Sequence, residues 1–170
     1  MSYNTDNTKI NTDNSKVKPF ARTAFEIAEA KSVAPCLNSI SAIGYYLGFL
    51  TYGLGAGYAF AVFLDKKHRL LKTVKLKQER LPIPEPILDA IDSELEDKRV
   101  KYFFVAHNHK GKPLIPSIDD KVTTDAITVR YANSSAEFIG HYITSGVDYL
   151  LLKYEGTLER CYKPRRRTTK

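Results

Sequence analysis

Residues 107–120 read His-Asn-His-Lys-Gly-Lys-Pro-Leu-Ile-Pro-Ser-Ile-Asp-Asp, and His107, His109 and Asp120 are all of types that bind metal ions. In an extended chain, residues i and i+2 point the same way, so His107 and His109 can present two imidazoles to one point beyond the end of a strand. The seven residues between His109 and Ser117 return the chain to the start of a helix, whose first turn holds Asp120. A carboxylate there can turn back toward the same point. Two imidazoles and one carboxylate leave a fourth tetrahedral position for water, which is the donor set of a catalytic zinc site rather than a closed structural one.

Each half of this motif has a plainer explanation. Ser117-x-x-Asp120 ahead of an apolar-periodic segment is what a helix N-cap looks like, and a His-x-His pair at a strand end is often only polar surface. At average amino-acid usage, however, the combination at this spacing arises in roughly one chain of this length in 3,000. Metal binding is therefore the favoured reading of the combination.

The surrounding pattern supplies elements to hold such a site. Residues 100–106, Val-Lys-Tyr-Phe-Phe-Val-Ala, predict a central strand that ends at the first histidine. The aromatic run 58–64 and the segment 69–77 predict a hairpin across the polar turn at 65–68. Helices are predicted over 38–52, over about 85–98 with a stripe of Ile87, Leu88, Ile91 and Leu95, and over about 117–132. A short amphipathic helix is predicted over 20–30, and strands over 137–144 and 149–154. Strands interspersed with helices argue for an α/β or α+β sandwich with helices on both sheet faces.

With 170 residues the chain has room for one domain of ordinary size. Residues 1–18, rich in Asn, Thr, Asp and Ser, read as a disordered leader, residues 19–160 as the domain and residues 161–170 as a basic tail. No charge occurs from Ser32 to Leu64, but Asn38, Ser39, Ser41 and Thr51 and the glycines at 53, 55 and 57 interrupt that stretch, which argues against a membrane span. The first residues lack the apolar run of a signal peptide. Cys36 and Cys161, the only cysteines, form no scaffold, and both features fit a reducing, cytoplasmic setting.

The histidine and aspartate spacing is the signature of the JAMM metalloproteases, also called JAB or MPN+ proteins, and the chain resembles their RadC-like branch over roughly residues 36–155. Residues 63–71, Phe-Leu-Asp-Lys-Lys-His-Arg-Leu-Leu, are similar to that family's hairpin, and Ala106 to His109 to its metal strand. Residues 116–124 resemble its helix start, and Gly140-His-Tyr-Ile143 a later Asp-His-x-Ile strand. The resemblance implies an α/β, single-domain, three-layer JAB/JAMM (cytidine-deaminase-like) sandwich, a mixed central sheet flanked by helices. It also implies a zinc ion held by His107, His109 and Asp120, with Ser117 beside the activated water, stabilising an oxyanion. The helix-hairpin-helix module of longer RadC proteins has no counterpart in this sequence.

The chain departs from the family at its general base. The family's glutamate falls at or beside Gly57, and no acidic residue occurs from Ser32 to Leu64. Glu79 and Glu85 follow the hairpin and are poor substitutes. The family's Pro-Ser-Gly after the second histidine is replaced by Lys110-Gly111-Lys112, a solvated loop or a site for an anionic partner. His141 matches a family strand histidine that either supports the metal ligands or packs in the core, and His68 reads as surface.

The net charge of +7 is unevenly spread: the last ten residues carry Lys163, Arg165, Arg166, Arg167 and Lys170 and no acid. Residues 66–80 hold seven cations against Glu79, and the following helix answers with Glu85, Asp89, Asp92, Glu94, Glu96 and Asp97. Hairpin and tail would serve as phosphate contacts for nucleic acid, or the hairpin and helix neutralise one another. Two functions are therefore carried forward. One is a zinc metallopeptidase or isopeptidase acting on a peptide or isopeptide amide. The other is an inactive zinc-binding relative serving as a DNA-associated, repair-labelled or protein-interaction module.

Overall fold

A computed structural model of the chain describes residues 34–55, 57–77, 85–109, 113–146 and 148–156. The leader, the helix expected over 20–30, Glu79, Arg80, Lys110, Lys112, Cys161 and the basic tail lie outside the described residues. The described elements run α1 (Ile40–Thr51), β1 (Tyr58–Leu64), β2 (Leu70–Lys77), α2 (Glu85–Glu94), β3 (Tyr102–Asn108), α3 (Ile118–Arg130), β4 (Glu137–Thr144) and β5 (Tyr149–Leu152). They build one mixed five-stranded sheet in the order β2-β1-β3-β4-β5. Only β3 and β4 are parallel, and α3 makes the crossover between them.

Side-chain alternation divides the core into two layers. Ala59, Ala61 and Phe63 of β1 and Phe103 and Val105 of β3 pack with Ile87, Leu88 and Ile91 of α2 and Ile127 of α3. The residues between them, Phe60, Val62, Phe104 and Ala106, pack with Ile43, Tyr46 and Leu47 of α1 on the other face. The architecture is thus an α/β sandwich with helices on both sides of the sheet. Helix α1 comes close enough to β5 that a Cβ at Gly44 would run into the Tyr149 ring. Among the described residues no helix is long and apolar enough to cross a membrane.

The β1–β2 hairpin is set by its turn. The Asp65 carboxylate accepts hydrogen bonds from the Lys67 and Arg69 amides and the Arg69 guanidinium, and His68 takes the left-handed conformation at φ 58°. His68 is half-buried rather than surface, its ring 4.2 Å from that of Tyr102. Residues 35–37 lie along this turn, with Leu37 N–H donating to the His68 carbonyl and Leu70 N–H to that of Pro35. The hairpin's cations divide between partners: Lys72 pairs with Glu94 of α2, Arg69 with Asp65, and Lys75 lies over the Tyr58 ring.

Element ends differ from the sequence reading, in one case through a local turn and in another through strand pairing. Helix α2 stops at Glu94 because the Asp97 side chain accepts the Arg99 amide and turns the chain. Strand β3 runs two residues further than expected, because His107 and Asn108 are paired to Ile143 and Thr144 of β4 and His107 also to Ala59 of β1.

Candidate metal centre

His107 is inside β3, buried, and faces α3, because it continues the alternation of Phe103 and Val105. His109 is one residue past the strand end, held where its amide donates to the Thr144 carbonyl at 2.7 Å. Asp120 is in the first turn of α3. The three side chains meet outside the carboxyl end of the parallel pair, the usual place for a site in an open α/β sheet.

The cap and the metal motif turn out to be the same structure. Ser117 is the N-cap of α3: its Oγ accepts from the Asp120 amide at 3.1 Å, and its own amide donates to Asp120 Oδ2 at 2.7 Å. That reciprocal pair fixes the Asp120 carboxylate, whose Oδ1 is 3.2 Å from His107 Nε2 and whose Oδ2 is 3.8 Å from His109 Nε2. The two Nε2 atoms are 2.7 Å apart. Zinc–nitrogen and zinc–oxygen bonds of about 2.0–2.2 Å imply a tetrahedral edge near 3.3 Å, which these three separations bracket. The donors therefore fit a single small cation, and they form the one such group among the described residues.

Burial tunes the site. The side chains of His107 and Asp120 are 3% and 7% exposed while that of His109 is 19% exposed, so solvent reaches the cluster from the His109 side. Burial alone would raise the Asp120 carboxyl, but the hydrogen bond and charge of His107 in its doubly protonated form, followed by the Ser117 bonds, outweigh it and hold Asp120 well below the usual carboxylate range. An ionised oxygen donor is what a divalent cation needs.

Two further residues complete the surroundings: His141, for which the sequence left support of the ligands or core packing open, and Asn108, which it did not single out. Buried His141 of β4 sets its Nε2 2.8 Å from His107 Nδ1, and its Nδ1 2.9 Å from the Thr124 hydroxyl of α3. Burial, and then the charge of His107, push His141 down to about 3, so it is neutral near pH 7. Asn108, between the two histidines, points to the opposite side, where its Oδ1 accepts from the Tyr58 amide at 2.9 Å and its Nδ2 donates to the Gly55 carbonyl at 2.6 Å. Their only sequence signals were the strand histidine at 141 and a polar residue inside an otherwise apolar strand.

The position expected for the missing base is also resolved into geometry. Ala59 pairs with His107 and shares its face, whereas Tyr58 belongs to the α1 face. Gly57 precedes the strand at φ 86°, a backbone suited to glycine. The site face of β1 thus carries Ala59, Ala61 and Phe63, and Glu85, exposed at the start of α2, is not in the cluster. No model of a known protein family matches the chain, and no curated protein matches its sequence.

Proposed function

We propose that the chain is a zinc metallohydrolase of the RadC-like JAMM type, cleaving a peptide or isopeptide amide. The observation that carries this reading is the meeting of two imidazole Nε2 atoms and one ionised carboxylate at a solvent-reached end of the sheet. Zinc suits a two-histidine, one-carboxylate donor set, and when bound it supplies Lewis-acid activation of water toward a polarised carbonyl. His107 and His109 orient that ion from the strand, and Asp120 from the capped helix. Ser117 holds the Asp120 carboxylate through its amide and its hydroxyl, and that hydroxyl would turn to an oxyanion when the ion engages the carboxylate.

A second reading is favoured by the composition of β1. Proton transfer to a leaving amine needs a base within reach, and Ala59, Ala61 and Phe63 offer none. The chain would then hold zinc without hydrolysis and act through DNA or protein contacts, with the hairpin and the basic tail as the nucleic-acid surface. Zinc-loaded protein incubated with a fluorogenic peptide library and with lysine-linked isopeptides separates the two. Release abolished by chelation and by His109→Ala supports the hydrolase. Folded, zinc-loaded protein that releases nothing supports the second reading.

A further inference from the structure

A relay of hydrogen bonds runs from the interior of α3 to the metal face, and its direction can be worked out. The Thr124 hydroxyl has one hydrogen, which it donates to the Asp120 carbonyl oxygen at 2.7 Å, one helical turn back. Its oxygen is left to accept, so His141, 2.9 Å away through Nδ1, carries its hydrogen there. A neutral imidazole has one N–H and one lone pair, so His141 Nε2 accepts. His107 then donates from Nδ1 across the 2.8 Å contact. That leaves the lone pair of His107 on Nε2, facing His109 and Asp120.

We propose that Thr124 and His141 are positioning residues that fix His107 in its Nδ1–H tautomer, presenting a bare Nε2 to the cation. The inference presupposes the metal site for its purpose, while its content is the direction of three hydrogen bonds. If Thr124 donated to His141 instead, every link would reverse and a hydrogen on His107 Nε2 would close the site. Thr124 and His141 are both buried, which keeps bulk water from replacing either partner. A ligating histidine whose other nitrogen is engaged in this way has a fixed ring and a more basic donor atom.

Long-range proton–nitrogen correlation spectra of the full metal-free chain, taken at alkaline pH where imidazoles are neutral, read the tautomers directly. The expected result is hydrogen on Nδ1 of both His107 and His141 in the parent and in Thr124→Ser, with that pattern lost in Thr124→Val. Zinc affinity, measured by competition with a chromophoric chelator, should fall about 10–100-fold in Thr124→Val and stay within about threefold in Thr124→Ser. Hydrogen on His107 Nε2 in the parent overturns the inference. So does a folded Thr124→Val with parental tautomers and parental affinity. Should the parent show both Nδ1–H tautomers yet bind no zinc, the relay stands and the metal reading fails.

Discussion

Asn108→Ala should destabilise the domain while leaving His107 and His109 in place. The side chain is 3% exposed and spans the gap between β3 and the segment leading into β1 with two hydrogen bonds. Alanine strands the half-buried Tyr58 N–H, at a cost of about 1–3 kcal/mol, whereas the carbonyl of exposed Gly55 can turn to water at a cost well below that. The expected loss is about 2 kcal/mol. For a domain of this size it corresponds to a fall in Tm of roughly 8 °C. Urea denaturation of the metal-free protein measures it, with an unchanged m-value showing that the unfolded surface is the same. Asn108→Asp, which keeps the acceptor for Tyr58 but not the donor for Gly55, should fall between the two. A loss below about 0.5 kcal/mol in Asn108→Ala would refute the clamp, because it would mean that neither bond resists water in the folded state.

Three further outcomes follow from the same geometry. Asp65 is held at about 2 because the Arg69 and Lys67 bonds outweigh burial, which alone would raise it. A carboxyl lowered on folding stabilises fully above its unfolded value of 3.8 and loses that contribution as pH falls through about 2. With the Arg69 side chain 55% exposed and screened, the contribution is about 1 kcal/mol. Asp65→Asn should remove it at neutral pH and flatten acid unfolding between pH ~4 and ~2, and an unaltered acid profile would count against the turn. Restoring a base should raise amide turnover in Gly57→Glu, which has open space at its Cβ and costs ~1–2 kcal/mol at positive φ, and not in Tyr58→Glu, on the wrong face. The opposite order would contradict the face assignment. Deleting residues 163–170 removes five positive charges and should shallow the salt dependence of any duplex DNA binding by up to about 4.5 in log–log slope; an identical slope would acquit the tail.

Local signals made much of this fold legible. The bounds of β1 and β4 match the aromatic run at 58–64 and the alternation at 137–144, since those patterns are set by burial on the sheet. The clustering of His107, His109 and Asp120 was legible because strand and helix periodicities aim them at one point. What was not legible depends on pairing between distant segments. The bond between His107 and His141 crosses two parallel strands 34 residues apart, and the Asn108 clamp reaches 50 residues back to Tyr58. Gly57 shows the same limit: the absence of acidic residues from Ser32 to Leu64 was evident from the sequence, but the left-handed backbone at Gly57 was not. Ser117 and Asp120 form the cap and also aim the Asp120 carboxylate at the two histidines, so the cap and the cluster, which the sequence offered as alternatives, coincide.

The central claim is a cation held by His107, His109 and Asp120, and metal content tests it most directly. Full-length protein equilibrated with zinc, cleared of loosely bound ion and analysed by plasma mass spectrometry should carry about one zinc per chain. His109→Ala and Asp120→Asn should each reduce that to background while remaining folded. Parent protein with no bound zinc, or His109→Ala with as much as the parent, would contradict the account.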